Sequence, residues 1–116
     1  MTTTQAVIDR YLAAFEHGSP DEILAVFSDD STVICGDDVH KGLKEIRKFF
    51  AHVMTDVLPP DARIASKHHV VEGDMAYFVW SSQSKHCEVD LGVDVLLVKD
   101  AVIARQAVFL RFKPAP

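Results

Sequence analysis

A two-layer α+β domain follows from three features of this 116-residue chain. Apolar residues in the first half recur at helical spacing. The second half reads as four extended segments joined by tight turns. Helices first and an antiparallel meander later is the pattern of helices laid on one face of a sheet. At this length a single domain spanning residues 1–116 is expected, because two independent cores would each be too small to be stable.

The helical half can be read element by element. Over residues 4–17, Val7, Ile8, Tyr11, Leu12 and Phe15 form one stripe, and Gly18 supplies the stop. Ser19-Pro20-Asp21-Glu22 is a start signal, with a capping hydroxyl, Pro in the first turn and Glu three residues after the cap. A second helix is predicted over 20–27, with Ile23, Leu24, Val26 and Phe27 inward. Residues 31–35 form a short β-branched stretch, followed by the loop Gly36-Asp37-Asp38-Val39-His40. A third helix over 43–54 carries Leu43, Ile46, Phe49, Phe50 and Val53 on its stripe. Pro59-Pro60 closes this half.

Strands are predicted over 62–71, 75–83, 88–98 and 102–112, with turns at Glu72-Gly73-Asp74 and around Lys99-Asp100-Ala101. The third strand has two apolar faces. Leu91, Val93, Val95 and Leu97 make one, and Gly92, Asp94, Leu96 and Val98 make the other, apolar except for Asp94. A strand in a two-layer monomer keeps one face polar. The pattern therefore predicts a homodimer packed sheet against sheet. A strand wrapped inside a strongly curved sheet would give the same signature.

Composition removes several function classes. With 48% apolar and 25% charged residues the chain has the makeup of a soluble folded domain. A net charge of −5 without a basic cluster argues against nucleic acid as a partner. The longest purely apolar run, 75–80, is far shorter than the roughly 20 residues of a membrane span. Residues 1–20 lack the apolar run of a signal peptide, so a cytoplasmic location is the default expectation. Cys35 and Cys87 are too few for a disulfide scaffold and read as free thiols. Neighbouring His68 and His69 point to opposite faces of a strand, as do His86 and Cys87. No ligand spacing builds a metal site. No phosphate-binding glycine loop or nucleophile elbow is present.

Three stretches carry a resemblance: Val7-Ile8-Asp9-Arg10-Tyr11-Leu12-Ala13-Ala14-Phe15, then Phe27-Ser28-Asp29-Asp30-Ser31-Thr32-Val33, then Gly42 leading into Ile46-Arg47-Lys48-Phe49-Phe50. Together they resemble the first half of ketosteroid isomerase and, more broadly, the SnoaL-like branch of the nuclear-transport-factor-2-like superfamily. Val93-Asp94-Val95-Leu96 and Ala107-Val108-Phe109 are similar to the last hairpin of that fold. The resemblance covers nearly the whole chain. It implies a curved antiparallel sheet wrapped around three N-terminal helices, a cone with an apolar internal pocket of the cystatin-like roll type. It also implies dimers through the convex sheet face and chemistry on side chains alone, with no cofactor.

In ketosteroid isomerase an Asp base moves a proton while a Tyr and a protonated Asp bind the enolate oxygen. Carried over by resemblance, the oxyanion Tyr falls on Tyr11 and the oxyanion Asp on Asp94, whereas the base position falls on Cys35. A thiol is a poor replacement, because an apolar pocket raises its pKa. Asp38 or His40, from the loop that follows, could restore a base.

Asp94 interrupts an apolar strand face, so something must compensate its burial. A two-residue turn near Lys99–Ala101 would place Arg105 opposite Asp94 or one pair away diagonally. A close Arg keeps the carboxylate ionised. That suits a general base, as in polyketide cyclases, and equally a structural ion pair. Phe15, Phe50, Phe78 and Trp80 are expected to wall the pocket, with Cys35 and Arg105 also in reach of a ligand. One of His68, His69 and His86 is a further candidate for the lining.

The expected partner is a small apolar organic molecule, and the expected chemistry is proton transfer next to a carbonyl, as in an isomerase or a cyclase. The alternative is a non-catalytic ligand carrier or protein-association module of the same fold.

Overall fold

The computed structural model describes residues 3–113. The first apolar stripe folds as α1 (Thr4–Glu16), capped by the Thr3 hydroxyl, which accepts from the Ala6 amide at 3.0 Å. Gly18 then turns the chain away at a φ of +61°, a region that Cβ-bearing residues avoid. Ser19 Oγ accepts from the Glu22 amide at 3.1 Å and caps α2 (Pro20–Leu24). That helix is shorter than predicted. The Val26 and Phe27 amides bond three residues back, to Ile23 and Leu24, so the chain tightens into a final turn that still buries both side chains.

β1 (Thr32–Cys35) and β2 (Asp38–Lys41) form a hairpin around Gly36-Asp37, so the predicted loop over 36–40 is largely strand. α3 (Gly42–His52) runs on into a π-helical turn, Val53–Val57, closed by the Leu58 amide on the Val53 carbonyl at 2.7 Å. Pro59-Pro60 prevents any continuation. The meander follows as β3 (Arg63–Glu72), β4 (Met75–Gln83), β5 (Glu88–Lys99) and β6 (Val102–Phe112).

The six strands lie in the order β2-β1-β6-β5-β4-β3 in a curved, unclosed sheet. The expected all-antiparallel pairing fails at one place. β1 lies parallel to β6, because the chain leaves β1 through β2 and α3 and returns to it only at its end. Three single-residue irregularities bend the strands, with Lys67 extra in β3, Asp90 in β5 and Ala104 in β6.

The helices cover the concave face. Val7, Ile8, Ala14, Ile23, Ile46 and Phe50 meet Ala76, Phe78, Leu96 and Ile103 there, all 6% exposed or less. The odd face of β5 is not covered within the chain: Val95 is 37% and Leu97 36% exposed. Among the described residues no helix is long and apolar enough to cross a membrane.

Candidate functional site

The concave face and the helices do not fill the space between them. A cavity of about 700 Å³ remains, large enough for a small organic molecule. One row of side chains crosses its floor. His69, Phe78, Asp94, Val108 and Cys35 stand side by side on β3, β4, β5, β6 and β1. α1 contributes Tyr11 and Phe15 from above. Phe49 and Phe50 come from α3, and Val53, Met54 and Val57 come from the π-helical turn. The wider π turn brings these three side chains to one wall, a use of π geometry seen at many sites. The aromatic wall is tightly keyed, with Tyr11 edge-on to Phe15 at 5.1 Å and to Phe50 at 6.1 Å between ring centroids.

Asp94 is 7% exposed and faces this cavity. Trp80 Nε1 donates to its Oδ2 at 3.1 Å. The indole can reach because its opposite residue on β5 is Gly92, where a Cβ would sit 2.2 Å from Trp80 Cε2. Among the described residues no cation is paired with the carboxylate. Burial therefore dominates and pushes its pKa up to about 7, against the pull of hydrogen bonds from Trp80 and Gln106. Tyr11 is buried beside it and accepts a hydrogen bond from Gln106 Nε2 at 2.9 Å. Burial, and after it the Asp94 charge, holds the Tyr11 phenol well above its ordinary value, so the hydroxyl keeps its proton.

A family model for the SnoaL-like domain matches residues 8–112 of this geometry's chain. The chain belongs to the SnoaL-like domain family. Among solved structures, this SnoaL-like domain is similar to a proposed ketosteroid isomerase from Kribbella flavida, at 18% identity and a TM-score of 0.76, over 97% of this chain and 82% of that one. It is similar to a proposed polyketide cyclase from Sinorhizobium meliloti, at 20% identity and a TM-score of 0.69, over 88% and 92%. A third is the epoxide hydrolase/cyclase-like enzyme SalBIII, with a role in pyran-ring formation in the polyether salinomycin, at 18% identity and a TM-score of 0.76, over 93% and 90%. At these identities the likeness is one of fold.

The SnoaL-like domain brings Tyr11, Phe15, Phe50, Phe78, Trp80 and Asp94 together around the cavity. Arg105 is elsewhere. The extra residue Ala104 puts Leu97 opposite Arg105 and reverses which side chains of β6 face inward, so Gln106, Val108 and Leu110 line the concave side. Arg105 lies exposed on the outer side and donates to the Asp30 carbonyl at 3.2 Å. The expected Asp94–Arg105 pair is thus replaced by the Asp94–Trp80 hydrogen bond, and Gln106 takes the inward position on β6 diagonal to Asp94.

Cys35 shares the floor row but stands behind Val108, outside the cavity lining, and burial pushes its thiol pKa up. Asp38 is exposed across from Cys35, and His40 stacks on Phe49 with centroids 4.6 Å apart, so neither lines the cavity. Of the three candidate histidines, the extra residue Lys67 selects His69, which lines the cavity and packs on Phe78 at 4.7 Å.

Gln106 escaped the sequence reading, although a lone amide inside the apolar run of β6 was its visible signal. Trp80 stands in the cavity wall as its sequence position predicts, and in addition bonds to Asp94, which no sequence signal marks.

Proposed function

We propose that this SnoaL-like domain binds a small, largely apolar molecule bearing a carbonyl and moves a proton on the carbon next to it. Asp94 is the proton carrier and Tyr11 donates to the carbonyl oxygen as negative charge develops there. One arrangement carries the reading: a carboxyl pushed up to about 7 by burial, with no paired cation among the described residues, faces an apolar cavity beside a phenol that keeps its proton. A base poised near the working pH moves protons most effectively, and such help is worth roughly 100- to 10,000-fold in rate. An oxyanion donor in a dry site adds to this. A solved structure described as a proposed ketosteroid isomerase fits the same class of chemistry.

The carrier reading draws on Cys35, which stands at the base position of the isomerase resemblance and lies outside the cavity lining. Binding of a simple naphthol, followed by exchange of ketone α-protons into heavy water, separates the two. In the enzyme reading, naphthol binds and its affinity falls in Tyr11→Phe and in Asp94→Asn. The exchange of an enolisable bicyclic ketone accelerates and is lost in Asp94→Asn. Binding without accelerated exchange establishes the carrier, and no binding to folded protein rejects both.

We also propose that the domain pairs through its convex sheet face. Val70, Tyr77, Val95, Ala107 and Ile34 run side by side across that face, on β3, β4, β5, β6 and β1, all exposed. Such a face is apolar enough to associate with its own copy.

A further inference from the structure

Gln106 is 3% exposed, gives one hydrogen bond to the Tyr11 hydroxyl at 2.9 Å, and leaves its Oε1 buried with no partner. It is a diagonal neighbour of Asp94, which faces Val108 two residues further along β6, so its amide lies within side-chain reach of the carboxylate, where it favours the charged form. A primary amide has two donors on nitrogen and an acceptor on the opposite side. With NH2 turned toward both oxygens, the arrangement suits an ionised Asp94, which only accepts. The Tyr11 oxygen then receives a hydrogen bond, and its own proton is free to point at a ligand.

A protonated Asp94 reverses these needs. Its O–H then faces a donor, while the amide's own acceptor, Oε1, is orphaned on the far side. An unmade buried hydrogen bond is costly. Turning the amide over lets Oε1 accept from both Asp94 and Tyr11. The Tyr11 proton is then committed to Gln106.

We propose that Gln106 is a positioning residue whose side-chain amide, before any proton has left a ligand, turns over with the protonation of Asp94, so that Tyr11 offers its proton to an incoming neutral carbonyl only while Asp94 is ionised. This rests on the roles given to Asp94 and Tyr11 above and adds the coupling between them. In the resting protein the Tyr11 proton is thus offered to an incoming carbonyl when the base is ready; an enolate formed in the cavity is a stronger acceptor than an amide oxygen and keeps that proton. The titratable groups around Asp94 are Tyr11 from α1 and Cys35 from β1, both held above their ordinary range. His69 from β3 and Glu16 and His17 at the end of α1 line the same cavity.

The test needs no ligand. The side-chain amide of Gln106 is followed by NMR in the full chain at about pH 5.5 and about pH 8.5, on either side of the Asp94 midpoint. The expected result is NOEs from the amide protons to the Tyr11 ring and to Trp80 Hε1 at high pH, which fade at low pH. The change persists in His69→Gln and disappears in Asp94→Asn. The same contacts at both pH values, or a change that survives in Asp94→Asn, overturns the proposal.

A second arm uses 1-tetralone, a neutral ketone. Tyr11→Phe weakens its binding roughly three- to tenfold at the higher pH and little at the lower one, as expected for one hydrogen bond gained or lost. In a Gln106→Met background the Tyr11 effect becomes equal at both. A pH-independent Tyr11 effect in the wild type, or a pH-dependent one in Gln106→Met, also overturns it. A ketone that never binds, with the NOE change intact, rejects the proposed function and supports the amide reversal.

Discussion

Trp80 lies across Gly92 so closely that a β-carbon there would fall within 2.6 Å of three ring atoms, Cε2, Cζ2 and Cδ2. The two residues face each other on β4 and β5, and Asp94 is the next residue on the same face of β5. The missing side chain at 92 is therefore what lets the indole lie down and reach Asp94 Oδ2. A glycine in a strand interior marks a close approach of this kind.

Gly92→Ala should displace the indole and break its bond to Asp94. Overpacking of a tight site costs about 1–3 kcal/mol, read as a lower urea midpoint. The Asp94 midpoint should rise further, because one hydrogen bond that favours the carboxylate is gone. Carboxyl NMR would show this, and an unchanged midpoint would separate Trp80 from Asp94's ionisation.

Asp94 makes stability depend on pH in a definite direction. Its value rises from 3.8 to about 7 on folding, so the folded state holds the proton more tightly than the unfolded state. Stability from this group is intact below the unfolded value and is lost as pH climbs through the folded one. The difference amounts to about 4 kcal/mol by pH 8. Asp94→Asn should therefore gain on the wild type as pH rises from about 4 to 8, with little difference at the acid end. Paired urea titrations across that range test it, and parallel curves would mean that Asp94 ionises freely.

Arg105→Ala should leave the Asp94 midpoint where it is. The guanidinium lies on the other side of the sheet, bonded to backbone carbonyls of Asp30 and Ala104. If the midpoint rose in this variant, the cation would be reaching the cavity after all. Carboxyl NMR of the two proteins answers the question.

The convex face gives a fourth expectation. Val95→Glu places a charge at the middle of the exposed apolar row, opposite Tyr77 on β4 and Ala107 on β6. A homodimer built on this face should dissociate in sedimentation, while the far-UV spectrum stays that of the wild type. Wild-type monomer at all concentrations would remove the dimer.

Local signals were strong where one residue decides one feature. Ser19 and Pro20 fixed the start of α2, and Gly18 fixed the end of α1, because caps and positive φ depend on a single side chain. The strands over 75–83 and 102–112 appear with those bounds, since turns and alternating apolar residues frame them. Tyr11 and Asp94 were legible as a pair through the resemblance, and the cavity brings them together.

The sequence alone determined the three helices and five of the six strands, the apolar stripes and the presence of a lone carboxyl on a buried strand face, but not the β2 strand or the π-helical turn. Only the tertiary structure decided what that carboxyl meets. The irregularity at Ala104 turns Arg105 outward and Gln106 inward, and the one at Lys67 brings His69 rather than His68 to the cavity. Neither Ala104 nor Lys67 announces itself, because a bulge is fixed by how two strands pair across the sheet and not by the residue that is extra. With a side-chain period of two, that single residue exchanges a cation for an amide beside Asp94, and so changes a carboxylate held ionised into one that can carry a proton at neutral pH.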